Sequence, residues 1–207
     1  MPIVTLLDYT SVLIFALTGA LVASRAQLDV VGFCFLACLT GLGGGTLRDL
    51  LLNRAPIWVE DPTYLAVGCS AAIAVFFGAH LLESRYTAIL WLDALALPVA
   101  AAAGAGIATS LGLPWPIVLV MGVVTGCGGG LMRDVVANDV PVVLKQGEPY
   151  VTCALAGAGG FAIAAWAGLP APLPTLICAG LTFALRAGSL AFAWRIPIYR
   201  PRPPRHK

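Results

Sequence analysis

The motif Thr-Gly-x-Gly-Gly-Gly-x-x-Arg-Asp occurs twice in this chain, 85 positions apart, each time inside a long apolar segment. The copies run Thr40-Gly41-Leu42-Gly43-Gly44-Gly45-Thr46-Leu47-Arg48-Asp49 and Thr125-Gly126-Cys127-Gly128-Gly129-Gly130-Leu131-Met132-Arg133-Asp134. The register continues through Asn53/Asn138 and Pro56/Pro141, so nine of the seventeen positions from 40 to 56 are identical. The same ungapped offset aligns Leu7-Asp8 with Leu92-Asp93, Gly19 with Gly104, and Leu28 with Leu113. An internal duplication accounts for this most simply, and whatever fold forms must accommodate the same unit twice.

The units lie in a chain made for lipid. Of 207 residues, 59% are hydrophobic and 11% charged, and the mean hydropathy is +0.92; soluble domains carry about 25% charged residues. A crossing helix needs about 20 mostly apolar residues, and seven segments supply them: 6–24, 30–52, 63–83, 88–109, 115–137, 150–168 and 174–194. The 23 glycines and 15 prolines fit, since both are more frequent in membrane helices than in soluble ones. No basic stretch precedes the first segment, so it reads as a retained span and not as a cleaved signal. The six cysteines all fall in spans, without CxxC spacing or a nearby histidine, and read as small packing residues.

Counting basic residues on alternate sides of the seven spans places Arg25, Arg85, Lys145, Arg195, Arg200, Arg202, Arg205 and Lys207 together, with Arg54 alone opposite. The positive-inside rule then predicts an external N-terminus and a cytoplasmic C-terminus. Three spans per unit is an odd number, so the second unit must enter the membrane from the opposite face. The expected fold is an all-α integral membrane protein: a three-helix repeat at 1–86, its inverted copy at 87–170, a seventh helix at 171–195, and a basic Pro/Arg tail at 196–207 drawn to anionic headgroups.

Gly43, Gly44 and Gly45, and likewise Gly128, Gly129 and Gly130, fall near the midpoints of spans two and five. Each glycine costs a helix about 1 kcal/mol relative to alanine, which predicts a kink or a short unwound segment. Irregular backbone at that depth must be buried in protein or line a watery cavity. Close helix packing through small residues is the other reading. Arg48-Asp49 and Arg133-Asp134 follow one turn later, where each charge costs roughly 2.5–3.5 kcal/mol at a helix centre and therefore faces a bundle interior or a cavity. The alternative is a neutral pair that only locks helices together. Neighbouring residues on a helix do not face each other, so each arginine is expected to find its acid elsewhere; topology nominates Asp8 for Arg48 and Asp93 for Arg133. Arg186 in the last span has no counterpart in the repeats; it is expected to snorkel to the interface, the other reading being support of the inner vestibule. His80 reads as packed or interfacial, and Lys145 as a candidate contact for lipid phosphate.

No catalytic signature is present: there is no HExxH, GxSxG, Walker lysine or paired catalytic carboxylate, and Gly41-Leu42-Gly43-Gly44-Gly45-Thr46 follows no strand, as a dinucleotide loop would. The chain is read as a non-enzyme, without cofactor, metal site or nucleic-acid partner.

The doubled TGxGGGxxRD, seven spans in a 3+3+1 pattern and a length near 200 residues resemble the prokaryotic trimeric intracellular cation channels, the TRIC family, over nearly the whole chain. That resemblance implies a homotrimer in a prokaryotic plasma membrane, with an hourglass pore in each protomer, permeation by monovalent cations, chiefly K+, and spans two and five bent at the glycine triplets. It also implies pore-associated charge at Arg48 and Arg133. Animal members carry a lysine-containing motif in the second repeat and bind a phosphoinositide there; Arg133-Asp134 stands here instead, with a bacterial phospholipid as the substitute. Arginine at a constriction should repel cations, so Asp8, Asp49, Asp93 and Asp134 are needed as neutralising partners, or the arginines move as a gate. The alternative function is secondary transport of a small amino acid such as glycine, since inverted repeats also suit alternating access.

Overall fold

The structure, a computed structural model, describes residues 2–81 and 84–199. Arg200, Arg202, Arg205 and Lys207, and with them most of the expected 196–207 tail, lie outside the described residues. The described chain is all helical, without a strand: α1 Pro2–Arg25, α2 Val30–Leu51, α3 Ile57–Glu60, α4 Thr63–Gly78, α5 Arg85–Ser110, α6 Trp115–Val136, α7 Tyr150–Trp166 and α8 Leu173–Ala191. Six of these are long and apolar enough to cross a membrane, while α7, at 17 residues, falls at the short end of the spanning range.

Local chemistry sets the ends. Asp29 caps α2 by accepting from the Gly32 amide at 2.8 Å, and Ser84 caps α5 by accepting from the Thr87 amide. Both motif helices close alike: the Arg54 amide donates to the Asp49 carbonyl and the Asp139 amide to the Asp134 carbonyl, each at 2.8 Å. This winding requires a left-handed residue, supplied by Asn53 (φ 54°) and Asn138 (φ 57°). Alanine at either position should cost about 1 kcal/mol and glycine nearly nothing. Melting of the variants in detergent checks this; an alanine variant as stable as the glycine one would contradict it.

After each closure comes an element too short for hydrophobic periodicity to reveal: the single turn α3 after Pro56 and a 3-10 turn at Val142–Leu144 after Pro141.

The two repeats are inverted. Thr5 and Asp8 near the start of α1 share a cavity wall with Ile107, Ser110 and Leu111 at the end of α5, while Val22 and Arg25 stand with Tyr86 and Ile89 at the other end. In sequence order α1, α2 and α4 correspond to α5, α6 and α7, and α8 packs on α5 and α7 outside the repeat pair. Of the six long spans, α1 and α5 are the most buried and α8 the least.

The motif helices α2 and α6 cross antiparallel at the glycine triplets. A Cβ on Gly44 would fall on the Thr125 carbonyl oxygen, and one on Gly129 on the Thr40 carbonyl oxygen. Gly128 and Gly44 are backbone against backbone, since a Cβ on Gly128 would lie 3.3 Å from the Gly44 Cα. The unwound segment expected there does not form, and both helices stay α-helical through their triplets. An unpaired amide costs several kcal/mol in an apolar medium, more than the glycine penalty recovers, so the backbone keeps its ladder. The glycines let the two helices approach closely.

Candidate functional site

One turn beyond the crossing, at opposite ends, lie two buried arginines. Arg48 on α2 donates from Nη1 to Asp8 Oδ1 on α1 at 2.9 Å and from Nε to Asp49 Oδ1 at 2.9 Å, with Nη2 to Asp49 Oδ2 at 3.2 Å. The Ile57 amide, at the start of α3, donates to Asp49 Oδ2 at 3.2 Å. The short turn after the motif thus orients the motif carboxylate.

The second repeat repeats this geometry and strengthens it. Arg133 on α6 donates to both oxygens of Asp93 on α5, at 2.9 and 3.0 Å, and from Nε to Asp134 Oδ1 at 2.8 Å. The Val142 amide donates to Asp134 Oδ2 at 2.9 Å, the counterpart of Ile57. Arg133 Nη1 also donates to Thr18 Oγ1 on α1 at 2.8 Å, a link from the opposite repeat. The residue 85 positions after Thr18 is Ala103, so Arg48 has no equivalent hydroxyl from that position. Arg48 makes its two-oxygen fork with Asp49 and Arg133 makes its own with Asp93, so what the second cluster adds is the Thr18 bond.

The structure thus brings Asp8 to Arg48 and Asp93 to Arg133, and it corrects the expectation that adjacency keeps Arg48 from Asp49 and Arg133 from Asp134. Adjacent Cβ atoms diverge, but the long arginine stem curls back until Nε meets the neighbouring carboxylate. Each cluster therefore sets one guanidinium against two carboxylates, a formal charge of −1. Arg48, Asp49, Asp93 and Arg133 are all at most 1% exposed. Burying such charges is costly unless they are paired and hydrogen-bonded, which these are.

Cavities lead to both clusters. A cavity of about 680 Å³ at the Asp8 end is lined by Arg54, Glu60, Asp61 and Tyr64 among others. Asp8 also borders a narrow enclosed space beside Thr40, Gly44, Gly45 and Thr125, at the helix crossing. A second cavity, about 260 Å³, opens at the other end and reaches Arg133 and Asp134 past Arg25, Tyr86, Asp139 and Lys145. The two cavities thus lie on opposite sides of the crossing, each bordered by residues of one arginine cluster.

At the larger vestibule, Tyr9 hydrogen-bonds to Asp61 and stacks on Tyr64 with ring centroids 3.9 Å apart. That bond and the Thr63 amide hold the Asp61 carboxyl below its ordinary value. At the smaller vestibule, Lys145 Nζ donates to the Tyr86 hydroxyl at 2.6 Å, and Arg25 pairs with Asp139 at 3.6 Å. His80 is exposed on a 3-10 turn. The six cysteines are free, and Cys38 and Cys69 meet sulfur to sulfur at 3.8 Å.

Arg186 departs from expectation. It does not snorkel: it is 1% exposed, pairs with Glu148 at 3.3 Å and lies over the Tyr150 ring at 5.0 Å. Glu148, in the loop before α7, gives it a half-buried partner that a span-by-span reading does not see. Thr18, Tyr150 and the Ile57 and Val142 amides were likewise missed. Only the Pro56/Pro141 match hinted at the last two.

Comparison with known proteins follows the same lines. A family profile described as Glycine transporter matches residues 5–80 and 90–166, one stretch in each repeat. The inner membrane protein YadS of Escherichia coli K12 is 32% identical over 201 residues, covering 93% of each chain. The TRIC trimeric intracellular cation channel orthologue from Rhodobacter sphaeroides is 41% identical, with a TM-score of 0.90 over 93% of this chain and 100% of its own. A structure described as the basis for conductance through TRIC cation channels is 28% identical, with a TM-score of 0.86 over 97% and 98%. These solved relatives are channels, not enzymes.

Proposed function

The chain belongs to the prokaryotic TRIC channel family, matched by the profile described as Glycine transporter, and on that premise we propose that it is a cation channel. It conducts monovalent cations, chiefly K+, through a separate pore in each protomer of a homotrimer. The pore runs from the larger vestibule past Asp8 and Arg48, through the neck beside Gly44 and Gly129, and past Arg133 and Asp93 to the smaller vestibule. The observation that carries this is the charge at the neck: each arginine is outweighed by two carboxylates, so both sides of the constriction favour a cation. Arg48 and Arg133 are the charges at this constriction whose bonds a gating movement would have to break.

The protein sits in the inner membrane with its N-terminus outside, as the eight-to-one bias of loop lysines and arginines favours. Membrane phospholipid is its lipid partner, with Lys145 at the cytoplasmic vestibule as a contact for a headgroup phosphate. No protein cofactor takes part.

The test is the current across a planar bilayer holding the purified protein, under a KCl gradient without amino acid. The expected result is a unitary current whose reversal potential lies on the cation side of zero. The profile's description favours a second reading, secondary transport of glycine. Saturable, glycine-dependent flux from a protein that passes no current in its absence would establish that reading instead.

A further inference from the structure

Tyr150 opens α7, and its ring is packed against Leu97, Cys127 and Val142. It is 1% exposed, yet its hydroxyl has no hydrogen-bond partner among the described residues. A buried, unpaired hydroxyl is costly, and phenylalanine would fill the same space without that cost. The position of this hydroxyl points to a use. It stands 3.7 Å from where a Cβ on Gly130 would be, and Arg133 Nη2 stands 3.9 Å from that same point. Both groups border the same bare edge of a glycine.

Behind the ring lies Arg186, its guanidinium 5.0 Å from the ring centre, tied to Glu148 and to Ser189 on its own helix. A cation over the ring face holds the ring plane and so aims the hydroxyl. Arg186 belongs to α8, the helix outside the repeats, so the first repeat has no counterpart of this arrangement. At the matching place, what faces Gly45 and Arg48 is the Ile57 Cδ1 methyl, 3.5 Å from the Gly45 Cβ position. Among the described residues, no hydroxyl stands within 4 Å of the Gly45 Cβ position, as the Tyr150 hydroxyl does at Gly130.

We infer that Tyr150 is a positioning residue for the gate: its hydroxyl oxygen is a second seat for Arg133, accepting a hydrogen bond from the guanidinium when Arg133 leaves Asp93 and Thr18. The seat stabilises the released arrangement, Arg186 and Glu148 hold it in place, and Arg133 is the arginine that moves while Arg48 stays with Asp8. This rests on the channel reading above, and it assigns α8 a part in gating that the repeats alone do not supply.

Single-channel recording of Tyr150→Phe under the same KCl gradient tests it. The expected result is unchanged unitary conductance and reversal potential with open probability reduced about tenfold, the loss of one hydrogen bond to a charged group. The variant should melt no lower than the parent, because the hydroxyl it loses is unpaired in the resting arrangement. An open probability equal to that of the parent overturns the inference. A second measurement is independent of current: the solved structure of Asp93→Asn, in which Arg133 has lost one of its two charged partners and keeps Asp134. Arg133 within hydrogen-bond distance of the Tyr150 hydroxyl supports the seat; Arg133 still held at position 93 and Thr18 overturns it. Should the parent protein pass no current at all, the channel reading fails, and this structure still decides where Arg133 goes.

Discussion

Alanine at position 44 or 129 is expected to destabilise the protein by about 3 kcal/mol, the upper end of what overpacking costs, while alanine one residue later is tolerated. The difference lies in what each new methyl meets. At Gly44 and Gly129 it falls on a carbonyl oxygen of the opposing helix, Thr125 or Thr40, so two backbones must separate. At Gly45 it meets the Ile57 Cδ1 at 3.5 Å and Arg48 Nη2 at 3.8 Å, and at Gly130 the Tyr150 hydroxyl at 3.7 Å, all ordinary contacts. There the gain in helix propensity, about 1 kcal/mol, remains. Thermal unfolding of the four single variants in detergent orders them: 44 and 129 well below the parent, 45 and 130 at or above it. Equal stability of the variants at 44 and 45 would mean that the helices do not touch at the triplet. The expected disruption also has a functional side, since the crossing is the wall of the neck.

Much of this architecture was legible in the sequence because duplication constrains more than propensity does. Alternating topology puts Asp8 on the side of Arg48 and Asp93 on the side of Arg133, and the duplication requires the two pairs to recur in the same relation. Apolar length located the spans. The glycine triplets were harder to read. Penalty arithmetic gives the same figure for a glycine that unwinds a helix and for one that admits a neighbour, and only the opposing carbonyl distinguishes them. Arg186 and Tyr150 were hidden for another reason: Glu148 lies in a short loop, and its pairing with α8 depends on how a seventh helix folds back onto a repeat. Thr18 could not be paired by symmetry, because its counterpart is Ala103. The departures from symmetry were thus what the sequence concealed, and they are concentrated around Arg133.

Changing one charge at Arg133 or Asp93 is expected to move ion selectivity in opposite directions. In the parent the cluster carries one guanidinium and two carboxylates. Arg133→Gln leaves both carboxylates and deepens the attraction for cations; Asp93→Asn leaves a balanced pair and removes it. A unit charge about 10 Å from a permeating ion, at an effective dielectric of about 20, contributes about 1.7 kcal/mol, or more than tenfold in a permeability ratio. The reversal potential under a KCl gradient should therefore move toward the K+ limit for Arg133→Gln and toward zero for Asp93→Asn. Both variants also break a buried pair, which costs about 3–5 kcal/mol, so recordings belong at low temperature on protein shown to be folded. The same changes at Arg48 and Asp8 should act in the same sense but more weakly. Asp8 borders the larger vestibule, where water screens it, whereas the Asp93 side chain is 1% exposed. Shifts of the same sign from Arg133→Gln and Asp93→Asn would remove the electrostatic account of selectivity and leave these clusters as clamps between helices.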